Sequence, residues 1–350
     1  MAYYRNLHKG QRCVIVGNGP SLNEMDLDLL RDEFTIGMNK IFLGFDRWNW
    51  RPTYHVAVNP LVLQQAADRI EQLGIPSFVS INGYESFAHP ERMVFLKSLP
   101  KPTDFSRDPR IGVWEGHTVT YVAMQLAWFM GFREVALIGV DHNFAVKGPA
   151  NQEVTADRPD ASHFDPNYFG PGTKWNLPDL EASEEAYRIA KQAYEQDGRR
   201  IVNATVGGKL EIFPRMEYRE WLRNDSQAQS NDHTAVQRAL DLNRRGEKLF
   251  EQGDLDGAKT MYDSALQIRD DIAMIHNNLG VIAFSRGDTE QAFHHLRDAA
   301  GLDSLDRNIL LNLLQVLEDR GETEQAELVV EQFAQIFPDD PEIRRNPVHS

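Results

Sequence analysis

The chain has 350 residues, 41% of them apolar, enough for two domains with ordinary cores. Its 52 acidic against 37 basic residues leave a formal net charge of −15, which excludes nucleic acid or an anionic membrane as the main partner, since no local basic patch offsets that charge. The single cysteine, Cys13, can form no intrachain disulfide, and residues 1–10 hold no continuous apolar run, so a cytoplasmic location without signal peptide or transmembrane segment is expected.

The first predicted element is a strand over residues 13–16, where Val14, Ile15 and Val16 are β-branched on both faces and suit a parallel sheet buried between helices. It runs into Gly17-Asn18-Gly19-Pro20-Ser21, followed by Leu22-Asn23-Glu24. Gly17 and Gly19 permit a tight turn and close approach to a ligand. Ser21 and Glu24 have capping-box spacing, so the following helix is expected to aim free amides at a phosphate. The third glycine of a dinucleotide fingerprint is missing, and a plain strand-to-helix turn would use the same residues.

Further strands are expected at 35–38, 55–58, 77–81, 135–140 and 200–202, and helices at 61–73, 118–130 and 180–196. The alternation predicts an α/β domain over residues 1–224, a variant Rossmann-like parallel sheet with helices on both faces. Asn18, Asn39, Asn59, Asn82, Asp141 with His142, and Asn203 each follow a predicted strand, at the edge where open α/β sheets bind ligands. An asparagine ring could read sugar hydroxyls and base edges, although each residue alone also suits a turn. The next candidates are His117 and Thr118, which could face an anion at the start of the apolar helix or simply cap it. Asp141 could bind magnesium or a ribose, or hold a loop amide.

Residues 142–176 lack clear periodicity and are expected to form a lid. Within them His163 is the candidate base, because imidazole titrates near neutrality, with Asp160 or Asp165 to orient it. Tyr168, Lys174 and Trp175 could hold a phosphate or stack on a sugar or base, or pack a cluster of their own. No metal site is expected: His294 and His295, being adjacent, point to different helix faces.

Residues 225–235 are polar and predict a linker. From 236 to 344 the sequence repeats every 34 residues, with Gly253-Asp254, Gly287-Asp288 and Gly321-Glu322 in register and Ala258, Ala292 and Ala326 keeping the same spacing. Small residues at these offsets let paired helices approach. The pattern resembles the tetratricopeptide repeat, with Pro338 closing the third unit, and implies an all-α solenoid that docks a protein partner or associates with itself.

Within residues 11–218, Val14-Ile-Val-Gly-Asn-Gly-Pro-Ser-Leu22, Gly37-Met-Asn39, Val58-Asn-Pro60 and Gly131-Phe-Arg-Glu-Val-Ala-Leu-Ile-Gly-Val-Asp141 resemble the bacterial sialyltransferases of glycosyltransferase family 42. They also resemble a wider group of flagellin-modifying nonulosonic acid transferases and archaeal 6-hydroxymethylpterin diphosphokinases. The sialyltransferase resemblance implies a CMP-linked sugar donor held by Asn18, Asn39 and Asn59, a lid base at His163 and no required metal or other cofactor. The paired lid tyrosines have no secure counterpart between Phe144 and Tyr168, and Trp114-Glu-Gly-His-Thr118 replaces an Arg-x-Thr-Ser segment.

The resulting expectation is an inverting glycosyltransferase that uses a CMP-nonulosonic acid in surface glycan or glycoprotein assembly. His163 would be the base, Gly17, Asn18, Gly19, Ser21, Asn39 and Asn59 the donor site, and His117 or Tyr168 the group that stabilises the leaving phosphate. The acceptor would be a glycan or protein. The alternatives are magnesium-dependent diphosphate transfer from ATP to a 6-hydroxymethylpterin, with Asp141 as a carboxylate ligand, and a non-catalytic nucleotide-binding scaffold.

Overall fold

The structure is a computed structural model that describes residues 1, 4–100, 103–223 and 226–336. The chain divides into two compact units, one over His8–His233 and the other over Thr234–Ser350 together with Ala2–Leu7.

The first unit is built on β1 (Arg12–Val16), β2 (Phe34–Met38), β3 (Tyr54–Ala57), β4 (Ser77–Ser80), β5 (Val94–Leu96), β6 (Glu134–Ile138) and β9 (Arg200–Asn203). They form one sheet in the order β5-β4-β3-β2-β1-β6-β9, and every pair is parallel. Every residue of β1 and β2 is buried, as central strands covered on both faces require. On one face, Val14, Val16, Ala136 and Ile138 pack with Phe164, Tyr168 and Trp221. There Ala57 and Val79 also receive Val62, Leu63 and Ala66 of α1 (Pro60–Glu71). The opposite face carries α2 (Val119–Phe129), which packs on β1, β2 and β3, and α3 (Leu180–Gln196), which packs on α2 and β9. Apolar on nearly every side, α2 is buried almost throughout, as a helix enclosed between sheet and helix must be.

Four local features differ from the sequence expectation. After β1 the chain forms two short 3-10 helices, Pro20–Glu24 and Leu27–Leu30, instead of a capped α-helix. Strand β5 was not expected: its three residues are too few to show a period. Residues 142–176 contain an antiparallel pair, β7 (Glu153–Thr155) with β8 (Lys174–Asn176). A short helix, α4 (Tyr218–Arg223), buries Tyr218 and Trp221.

The second unit contains α5 (Ser226–Glu251) from Thr234 onward, α6 (Leu255–Ile268), α7 (Ala273–Ser285), α8 (Thr289–Leu302), α9 (Arg307–Asp319) and α10 (Thr323–Ile336), paired in sequence as a tetratricopeptide-like solenoid. The backbone of 226–235 is helical, so the polar stretch read as a linker continues the first repeat helix, which propagates once its later turns are packed. Gly253, Gly287 and Gly321 take left-handed conformations at φ +82°, +80° and +71°, and the side chains of Asp254 and Asp288 cap the next helix. Ala258, Ala292 and Ala326 are buried, as are Tyr262, Leu296 and Val330 at a second shared offset. Pro338 and the rest of 337–344 lie outside the described residues. Among the described residues no helix is long and apolar enough to cross a membrane.

Candidate functional site

The strand order reverses direction at β1, which lies between β2 and β6. In open α/β sheets the loops leaving such a switch point part and open a crevice at the carboxyl edge. A cavity of about 660 Å³ lies at this edge and is lined by residues following β1, β2, β3 and β6.

The glycine turn at this edge closes mainly on its neighbour. Gly17 and Gly19 donate their amides to Ile138 and Gly139, each at 2.8 Å. A Cβ on Gly17 would meet the Gly139 carbonyl, and one on Gly19 the Asp141 carboxylate. Ser21 does not cap a helix: its amide and hydroxyl donate to the two carboxylate oxygens of Asp141, at 3.2 and 2.7 Å. Burial raises the Asp141 pKa, the bonds from Ser21 oppose the shift, and the charge of Glu24 adds to it. Asn18 donates to the Met38 carbonyl at 3.0 Å, while its buried Oδ1 has no hydrogen-bond partner; the residue lines the cavity.

The predicted asparagine ring divides. Asn39 has left-handed backbone at φ +48°, and its carbonyl accepts a 2.7 Å hydrogen bond from His55 Nε2. Burial pushes the His55 pKa down to about 4, against that hydrogen bond, so at neutral pH it is an uncharged strut beneath Asn39. Asn59 caps α1 through Oδ1 and also lines the cavity, as do Asp141 and His142. Asn82 is exposed on a 3-10 helix. Asn203 is buried, donating to Leu210 and accepting from Thr205, and serves the fold alone.

His163 stands on the cavity wall with its Nδ1 2.7 Å from Asp160 Oδ2; Asp165 pairs with Arg47 instead. The His163 ring stacks on Tyr168, with centroids 3.9 Å apart and planes 4° from parallel. Asp160 also accepts the amides of Ser162 and Phe169, at 2.7 and 3.2 Å. Burial would raise its pKa, but the bonds from His163 and these amides outweigh that and hold it below the ordinary value. The loop is anchored where it meets the glycine turn: the Phe164 amide donates to the Asn18 carbonyl, and Asn23 Nδ2 to the Phe164 carbonyl, both at 2.9 Å. Residues 160–169 thus form part of the cavity wall packed against the glycine turn, with Phe164 and Tyr168 2% and 1% exposed.

Tyr168 reaches the cavity only as a buried ring, and burial raises the pKa of its phenol. Trp175 lines the cavity and stacks on Phe169, whereas exposed Lys174 pairs with Glu153. Sequence reasoning missed Lys40, whose ammonium donates to the Tyr168 carbonyl and to Gln65, each at 2.9 Å. Burial lowers its pKa to about 8 while the Asp160 charge opposes the shift. The available signal was a lysine directly after Asn39, among apolar residues.

His117 and His142 are both left-handed, at φ +62° and +51°. His117 Nδ1 lies 3.5 Å from Asp179, and His142 Nε2 lies 3.2 Å from Glu184. Burial lowers the His142 pKa against the influence of Glu184. Thr118 caps α2 by accepting the Thr120 amide. Three histidines, each facing a carboxylate, thus share one cavity with Glu115, Asp141 and Asp179, and no lysine or arginine among the described residues lines it.

Residues 1–147 match the family model described as 6-hydroxymethylpterin diphosphokinase MptE-like. The chain thus carries an N-terminal MptE-like domain and a C-terminal tetratricopeptide-like repeat region. This match overturns the glycosyltransferase expectation and favours the diphosphokinase alternative. The physical reason is that much of the Gly-Asn-Gly-Pro-Ser segment makes a loop junction: its glycines meet Gly139 and Asp141, a requirement of the fold that does not identify a donor.

No curated protein matches the chain. Among solved structures, the first TPR domain of Spaghetti (RPAP3) bound to an HSP90 peptide is 20% identical, with a TM-score of 0.29, covering 31% of this chain and 88% of that one. The second TPR domain of human RPAP3, in complex with an HSP70 peptide, is 16% identical with a TM-score of 0.30, covering 31% and 92%. The Arabidopsis OM64 TPR domain is 13% identical with a TM-score of 0.30, covering 31% and 91%.

Proposed function

We propose that the MptE-like domain transfers diphosphate from ATP to the hydroxymethyl group of a pterin. The observation that supports this most is the His163–Asp160 pair, 2.7 Å apart, on the wall of the cavity that also holds Asp141. With Nδ1–H donated to Asp160, Nε2 is left as the base. It takes the proton of the acceptor hydroxyl as that oxygen attacks the β-phosphorus. The bond from the β-phosphorus to the oxygen bridging the α-phosphorus breaks, and AMP leaves. Asp160 holds the ring in this tautomer and stabilises the imidazolium that forms.

The lining also argues for a divalent cation. Three carboxylates and no lysine or arginine among the described lining residues would repel a bare triphosphate. Magnesium is commonly held by one or two carboxylates plus phosphate oxygens, and Asp141 fits that role. On this reading the cation would enter with the nucleotide, held by phosphate oxygens and Asp141. When bound, it neutralises phosphate charge. The repeat unit, on this reading, docks a protein partner or a second copy of the chain.

The test is the full chain with ATP, magnesium and 6-hydroxymethyl-7,8-dihydropterin, with AMP and the pterin diphosphate quantified by chromatography. The expected result is equimolar products that require magnesium. His163→Ala should lower kcat by about 10² to 10⁴-fold and leave ATP binding in place. Failure of the wild-type chain to form pterin diphosphate would end this reading.

A further inference from the structure

Trp114 has no part in the chemistry above and Glu115 enters it only through its charge, yet both line the cavity, beside Ser98, Leu99, Pro100 and Thr103. The sheet order puts β5, whose chain continues into this wall, four strands from β1, or about 19 Å at ordinary strand spacing. The part of the wall that follows β5 is thus offset along the sheet edge from the glycine turn, and Asn39 and Asn59, which follow β2 and β3, line the same cavity.

The wall is held from several directions. Leu99 donates to the Val113 carbonyl and Val113 to that of Lys97, each at 2.8 Å. Fully buried Gln125 accepts the Trp114 amide at 3.1 Å and donates to the Trp114 carbonyl at 2.7 Å. The Trp114 indole N–H donates to Pro100 at 2.9 Å. The Ser98 hydroxyl donates to Glu115 Oε1, and no hydrogen bond among the described residues engages Oε2. A rigid tryptophan thus adjoins a carboxylate whose second oxygen is uncommitted.

We infer that this wall is the acceptor subsite and that Glu115 recognises the N–H edge of a 2-amino-4-oxopyrimidine ring lying against Trp114. That edge presents a ring N–H and an exocyclic amine side by side, at the spacing of the two carboxylate oxygens, and so forms a charge-assisted pair. Leu99, Pro100 and Trp114 supply apolar surface for the flat ring. Adenine presents an acceptor beside its amine, and would leave a lone pair facing the carboxylate. Glu115 therefore separates acceptor from donor, directing the pterin here and the adenine nucleotide elsewhere in the cavity. Guanine shares the recognised edge and should compete.

This assignment rests on the diphosphotransferase reading, and the experiment separates the two. The intrinsic fluorescence of 6-hydroxymethylpterin reports its binding to the full chain without turnover. Glu115→Gln keeps an acceptor for Ser98 but turns an N–H toward the pterin edge. It should weaken pterin binding about tenfold or more, leave magnesium–ATP affinity within about twofold and abolish competition by guanosine. Equal pterin binding by wild type and Glu115→Gln would overturn the subsite while diphosphate transfer, if present, upheld the function. A wild-type chain that binds no pterin would overturn both.

Discussion

The glycines of the two units have different tasks. In the repeat unit Gly253, Gly287 and Gly321 sit at one offset, each at positive φ and with open space where a Cβ would project. Each serves a single backbone dihedral, and the same local solution recurs every 34 residues. In the α/β unit Gly17 and Gly19 have no unusual φ but are pressed against Gly139 and Asp141, which are more than 100 residues away in the chain. The first kind of glycine answers a local requirement and the second a tertiary one.

The largest expected contrast follows directly. Gly17→Ala must push the β1 loop away from the Gly139 carbonyl, backbone against backbone, and should cost about 3 kcal/mol or more. Gly287→Ala strains only its own φ, at about 1 to 2 kcal/mol. Denaturant unfolding of the two variants, followed by unit-specific probes, should rank them in that order; the reverse ranking would remove the distinction.

The next effect concerns acid. His55 is held neutral beneath Asn39, with its pKa down to about 4 from 6.5. A depressed histidine contributes stability that is present above its unfolded value and lost as pH falls toward the folded one, here between about 6.5 and 4, to a limit of about 3 kcal/mol. His55→Gln removes that titration and should flatten the acid limb of the stability profile for the α/β unit. The repeat unit should be unaffected by this change.

The smallest expected effect concerns the pair that fills the glycine turn. Because burial raises the pKa of Asp141, its contribution is present below the unfolded value and is lost as pH rises through the folded one. Its charge is thus a cost at neutral pH. Asp141→Asn should leave stability at pH 7 unchanged or raise it by up to about 1 kcal/mol, while weakening magnesium–ATP binding. Melting temperature and nucleotide titration on the same sample would check both, and a large loss of stability would show that Asp141 serves mainly as a structural plug.

Local patterns in the chain exposed the features that depend on neighbouring residues. The helix predicted at 180–196 coincides with α3 (Leu180–Gln196), and the helix-capping option at Thr118 is realised, whereas Asn59, read as a sheet-edge or turn residue, caps α1. His163 could be proposed because it is a histidine in a long aperiodic segment at the sheet edge. The sequence does not choose its partner between Asp160 and Asp165, since either spacing can bring a carboxylate to the ring. Lys40, His142–Glu184 and Ser21–Asp141 were illegible because each joins residues between 40 and 130 positions apart or draws meaning from a burial no period reveals.

By itself the sequence determined the parallel sheet, the repeat period and the identity of the base candidate, because strand burial, helical spacing and glycine turns are written within a few residues. Only the tertiary structure decided that the glycine turn closes on Asp141, that residues 160–169 of the expected lid are hydrogen-bonded to that turn, and that Trp114 and Glu115 line the same cavity as His163. Those outcomes depend on which chain segments exclude water from one another, and that is set by packing between elements far apart in sequence.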